Sequence, residues 1–239
     1  MLIVVAAILA DLLFGAVALG IAARLPAFHG ISLTELARRP EFLRNAYVAL
    51  PVETALYLVI LALMVLVVRN RGHRFVEAIR WNFPRAHWLG YVALGIALSV
   101  FVQLVSTFLP VPKNLPIDLY FRDALSAWLM ALFGTLLAPF MEELFFRGFL
   151  YPLLARRLGI AVSALLTAAS FALLHASQLA HAWAPVLLLF VVGLVLTLIR
   201  ARTFSVAASF LVHVGYNGSL FVLLYFSTGH FHHFEHLGS

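Results

Sequence analysis

The sequence contains no cysteine. That excludes disulfides, cysteine-ligated metals, iron–sulfur clusters and thiol nucleophiles. Charge is scarce as well: 11% of the 239 residues are charged, against 64% that are hydrophobic. A soluble domain is about half apolar and about a quarter charged. The composition therefore excludes an ordinary soluble domain and is that of an integral membrane protein. There is no internal repeat and no HExxH zinc helix, and the one biased stretch is the histidine-rich tail GHFHHFEH. The N-terminus is apolar from Leu2, with no positive region ahead of it, so it reads as a retained transmembrane helix rather than a signal peptide. Asp11 within that helix is read as structural.

What is present is a series of long apolar runs. A bilayer core of about 30 Å needs roughly 20 apolar residues per helix. Runs near 2–24, 47–68, 88–110, 125–153, 160–180, 183–199 and 205–227 meet or approach that length. The expectation is an all-α polytopic membrane protein of about seven transmembrane helices, forming a single membrane domain over 1–239. The stretch 31–46 reads as interfacial helix and turn, 110–123 as a proline-broken loop, and ARRLG at 155–159 as a tight turn. With seven crossings, the loops 69–87, 155–159 and 200–204 share one side and carry nine of the 16 Lys and Arg. The positive-inside rule then sets the N-terminus in the cytosol and the C-terminus outside. The net charge of +6 belongs to these loops, which makes membrane lipid the expected partner and nucleic acid not one.

Charges inside the apolar runs carry the chemistry. The stretch PFMEELFFRGFLYPLL sets Glu142, Glu143 and Arg147 in the fourth run. On an α-helix Glu143 and Arg147 are i and i+4 and share a face, whereas Glu142 lies about 140° from Arg147. Arg147 therefore neutralises Glu143, and Glu142 is left as an acid without a local countercharge. A lone charge at mid-membrane costs roughly 2.5–3.5 kcal/mol on insertion scales, which makes it a functional candidate. FALLHAS holds Phe171 and His175 at i and i+4. If helices four and five form a hairpin turning near Gly159, Glu142 and His175 lie at equal depth. LVHVGYNGSL sets His213 and Asn217 on one face of the last run, with Gly215 and Gly218 thinning the helix beside them. One acid, two imidazoles and an amide, from three helices, are expected to meet in an intramembrane polar cavity.

The three motifs EELFFR, FALLH and HVGYN resemble the EExxxR, FxxxH and HxxxN motifs of the type II CAAX prenyl protease family, also called the Abi or bacteriocin-processing family. The resemblance covers about residues 125–227. It implies an intramembrane glutamic endopeptidase in which Glu142 acts as general base on a water with His175. It further implies that His213 and Asn217 stabilise the oxyanion, with Glu143, Arg147 and Phe171 in support. No cofactor and no metal is implied. The implied partner is a membrane-associated peptide or protein cut near its C-terminus, with or without a lipid.

Other readings of the same residues stay open. His175, His213 and Glu142 could make a two-histidine, one-carboxylate zinc site. Asp11, Glu53 and the histidines could relay protons in a transporter. The polar set could also be a hydrogen-bonded plug in a non-catalytic immunity or scaffold protein. Glu53, just after Pro51, is read as interfacial, His181 as a loop residue near an entrance, and the tail histidines as interfacial. The expected location is the plasma or inner membrane of a bacterium, or the endoplasmic reticulum of a eukaryote.

Overall fold

The computed structural model describes residues 45–112 and 115–232, with isolated positions 20, 24, 31, 35 and 42 before them. The expected first span, the interfacial stretch and the end of the histidine tail lie largely or wholly outside these residues. The described chain is all helical, with no strand. Its helices are α1 Ala46–Arg69, α2 Phe75–Ala78, α3 Trp88–Ser106, α4 Ala124–Leu132, α5 Ala138–Glu142, α6 Tyr151–Leu174, α7 Trp183–Thr203 and α8 Val206–Ser227. Two π-helical segments, Phe133–Leu137 and Glu143–Leu150, join α4 to α5 and α5 to α6. Short 3₁₀ turns occupy Pro116–Tyr120 and Ala176–Leu179.

Five helical runs are long and apolar enough to cross a membrane. The longest, Ala124–Leu174, has 51 residues. Straight, it would extend about 77 Å, more than twice the bilayer core. It bends back at Gly159, whose φ of 75° and ψ of 173° belong to a region open essentially to glycine alone. The rings of Phe146 and Phe171 consequently meet at 5.4 Å. On a straight helix those residues would stand roughly 38 Å apart. The turn expected over five residues is thus compressed into one.

Helix starts follow capping chemistry. Asn45 accepts from the Tyr47 N–H at 3.0 Å at the head of α1. Asp123 caps α4 by accepting from the Ser126 N–H at 2.8 Å, and it also accepts from the Tyr47 hydroxyl at 2.7 Å. One orphaned first-turn donor is met this way at each of these two starts, and α1 is tied to α4.

The expected α-helix over 125–153 departs from α geometry at two places, and proline explains both. The Ala138 N–H bonds to Phe133 O, five residues back. In that register the next acceptor, Gly134 O, faces Pro139, which has no N–H to give. The Tyr151 N–H likewise bonds to Phe146 O, and Pro152 follows it. A buried orphan carbonyl must find another donor, and Gly134 O does so at the site described below.

Helices α3 and α8 touch backbone to backbone. A Cβ on Gly95 would overlap the carbonyl of Val212, and one on Gly215 would overlap that of Val92. Side-chain-free contact of this kind is how membrane helices approach closely without a hydrophobic drive between them. It fixes the helix that carries His213 and Asn217. Gly95→Ala is expected to destabilise the protein by about 1–3 kcal/mol, since the methyl must displace backbone. Thermal unfolding of the purified protein in detergent checks this, and an unchanged Tm contradicts the contact.

Candidate active site

Glu143 and Arg147 lie in the second π segment and are wholly buried. Arg147 Nη1 donates to Glu143 Oε1 at 2.9 Å, and Nη2 donates to the carbonyl of Gly193 on α7 at 2.9 Å. The guanidinium also lies over the rings of Phe171 and Phe146, at 4.7 and 5.6 Å. Charge, two hydrogen bonds and ring faces together offset the burial of the cation. The pair joins α7 and the end of α6 to the π segment.

The pair has a third member that spacing alone did not reveal. Glu143 Oε1 lies 3.0 Å from His213 Nδ1. A carboxylate only accepts, so His213 Nδ1 carries the hydrogen. This holds the ring edge-on, with Nε2 turned to Glu142 Oε2 at 3.7 Å. His213 itself is 2% exposed, so its orientation is set by these contacts and not by solvent.

Glu142 lies between two imidazoles. Its Oε1 is 3.6 Å from His175 Nε2, and its Oε2 is 3.7 Å from His213 Nε2. His175 Nδ1 is 2.9 Å from the carbonyl of Phe171, one helical turn earlier. A carbonyl cannot donate, so the neutral His175 ring has its hydrogen on Nδ1 and a lone pair on Nε2. Both gaps to Glu142 exceed direct hydrogen-bond length. Each gap is too short to hold a water between its atoms, but a water beside them can hydrogen-bond to both.

Asn217 donates from Nδ2 to Gly134 O at 2.6 Å. This is the carbonyl that Pro139 leaves without its helical donor. An amide nitrogen has two hydrogens, so one N–H remains for another acceptor. Phe171 packs against both imidazoles, with centroids at 4.8 Å from His175 and 5.8 Å from His213. The seven residues singled out from the sequence therefore share one neighbourhood, and five of them, Glu142, Phe171, His175, His213 and Asn217, line a cavity of about 480 Å³.

The same cavity adds to one expectation. Glu53 lines it with Glu142, and Tyr57, one turn further along α1, lines it too. The run expected from residue 47 and α1, which begins at Ala46, agree, and Glu53 stands about two turns inside that helix. The i, i+4 pairing of Glu53 with Tyr57 was the available signal. His181 is exposed in the turn after α6 and is absent from the cavity lining. The cavity wall also takes in Ile117, Asp118 and Phe121 from the proline-broken loop and Gln178 from the turn after His175.

Residues 124–219 match the family model described as type II CAAX prenyl endopeptidase Rce1-like. The matched segment contains all seven residues singled out from the sequence, whereas Glu53, Tyr57, Ile117, Asp118 and Phe121 of the cavity wall lie before it. No curated protein and no solved structure matches the chain. With its apolar spanning helices, the chain is an integral membrane protein.

Arg147→Ala leaves Glu143 buried without its cation. Breaking such a pair costs about 3–5 kcal/mol, or a Tm lower by at least about 6 °C for a chain of this size. An Arg147→Ala protein that melts with the wild type would contradict the buried pair.

Proposed function

We propose, for a chain whose residues 124–219 match the Rce1-like type II CAAX prenyl endopeptidase model, that Glu142 is the general base of a metal-independent intramembrane endopeptidase. The observation that carries this reading is Glu142 held between His175 Nε2 and His213 Nε2, at 3.6 and 3.7 Å, on the wall of a large cavity. A water seated beside both atoms, on the cavity side, donates one hydrogen to Glu142 Oε1 and the other to the lone pair of His175 Nε2. Its oxygen is then free to attack the scissile carbonyl carbon. Glu142 takes the proton as the carbon–oxygen bond forms.

The negative charge moves to the carbonyl oxygen. On this reading His213 is the imidazolium, with Nδ1–H on Glu143, and its Nε2–H and the free Asn217 N–H are the donors, aimed before the reaction begins. Glu143, behind the His213 ring, balances the charge on that imidazole, much as an aspartate supports histidine in hydrolytic triads. The intermediate collapses with cleavage of the C–N bond, and the proton on Glu142 passes to the leaving amine. The products are a new carboxyl end and a free amine.

The substrate on this reading is a membrane-associated peptide or protein cut near its C-terminus. The cavity lining is largely apolar, with Leu50, Val102, Phe133, Leu188 and Tyr216 among its residues. Such walls take an aliphatic side chain or an isoprenoid, and a few polar groups fix its register. The prenylated C-a-a-X end has this chemistry. Residues 1–239 are read as one membrane domain serving this site.

Glu142→Gln is expected to abolish cleavage of a lipidated C-terminal peptide while the Tm holds. Asn217→Ala is expected to lower kcat by about 10²–10³, the usual loss for one oxyanion donor. Product masses with and without a strong chelator complete the test. Turnover by Glu142→Gln rejects the base assignment, and chelator inhibition reversed by zinc favours the metal reading.

A further inference from the structure

The proposed reaction employs Glu142, His175, His213 and Asn217, and it leaves one carboxylate on the cavity wall without a task. Leu50, Glu53 and Tyr57 stand at i, i+3 and i+7 of α1, so they share one face of that helix, and all three line the cavity. Among the described residues the Glu53 carboxylate makes no hydrogen bond and no ion pair. Other polar groups of the same wall are engaged. Asp118 accepts from the Leu115 N–H at 2.7 Å, and the Ser106 hydroxyl donates to Gln103 O at 2.7 Å.

Tyr57 fixes where Glu53 stands. Its ring stacks on that of Phe133, with centroids 5.8 Å apart and planes 8° from parallel. Phe133 precedes Gly134, whose carbonyl holds Asn217. Glu53 is one helical turn, about 6 Å of rise, from that stack. It therefore belongs to the stretch of wall next to the oxyanion donors. The charges of the site show that it has no cation to itself. Glu142 and Glu143 together balance Arg147 and the His213 imidazolium, and Arg147 is committed to Glu143 and to the carbonyl of Gly193. No Lys or Arg lines the cavity among the described residues, whereas Glu53, Asp118 and Glu142 do. A carboxylate on an apolar wall is costly until a cation joins it, and a cleft lined by one sign of charge attracts the other.

We propose, on the premise that this cavity is the place of cleavage, that Glu53 binds a Lys or Arg side chain of the substrate within two residues of the scissile bond. The preferred substrate class is then a basic, membrane-associated peptide segment. An ammonium or guanidinium donates to the Glu53 carboxylate, while its aliphatic stem packs on Leu50 and Tyr57 of the same helix face. The apolar wall supplies area for the rest of the substrate, and this one charge pair sets its register. Glu53 is on this account a specificity-determining residue and takes no part in moving protons.

The test uses the full chain in detergent with lipidated peptides that differ at one residue, Lys, Gln or Glu. That residue is walked from two positions before the scissile bond to two after it. At the position that meets Glu53, the wild type is expected to cleave the Lys peptide with kcat/KM at least about tenfold above the Gln peptide, the low end for a charge-assisted hydrogen bond. The Glu peptide should be the poorest. Glu53→Gln, which keeps the shape and removes the charge, should level the three, and Glu53→Lys should favour the Glu peptide. Binding to the Glu142→Gln protein, read by fluorescence anisotropy, should rank the peptides in the same order, and adding Glu53→Gln should abolish the ranking. That ranking in binding, with no cleavage by the wild type, upholds the cation site and rejects the proposed reaction. Glu142-dependent cleavage that is equal for Lys, Gln and Glu at every position overturns the cation site and leaves the reaction standing. A Glu53→Gln protein that keeps the wild-type ranking, at whatever rate, overturns it as well.

Discussion

The carboxylate of Glu143, fully buried and shared by Arg147 and His213, is the constraint on which the rest of the structure depends. One of its oxygens accepts from both partners, at 2.9 and 3.0 Å. Through Arg147 it reaches α7, and through His213 it reaches α8. The same oxygen that neutralises a buried cation therefore sets the angle of an imidazole in the cavity. Stability and the geometry of the site are not separable here. A charge inside a membrane is costly in isolation, but one whose partners come from three helices also holds those helices in register.

The π segments do comparable work on the backbone. Proline removes two helical donors in one apolar run, and the chain answers by widening the helix at Phe133–Leu137 and Glu143–Leu150. One freed carbonyl, that of Gly134, is taken by Asn217. The amide is thereby oriented by the backbone defect beside it, with its second hydrogen left for other use. Irregular helices of this kind recur at functional sites because the defect supplies polar groups where a regular helix has none.

Much of this was legible in the sequence, and the parts that were not have physical reasons. Apolar run length located α1, α3, α7 and α8 within a few residues, because the bilayer sets a length that soluble folds lack. Spacing alone separated Glu142 from the Glu143–Arg147 pair. Equal distance from Gly159 brought His175 to the depth of Glu142. Three things escaped. The π geometry follows from a register choice that propensity does not encode, although Pro139 and Pro152 marked its places. The hydrogen bond from His213 to Glu143 joins residues 70 apart in sequence, and no local pattern announces it. The place of Glu53 on the cavity wall was missed because its nearness to the start of α1 suggested only the interface.

The central claim is that Glu142 delivers a proton-stripped water and does not itself attack the substrate. A single turnover in ¹⁸O-labelled water, on a prenylated C-terminal peptide with enzyme in excess, tests it most directly. If Glu142 acts as base, one ¹⁸O appears in the new carboxyl end of the product and the Glu142 side chain stays unlabelled. Label recovered in Glu142 after that turnover would show a covalent acyl-glutamate and contradict the account.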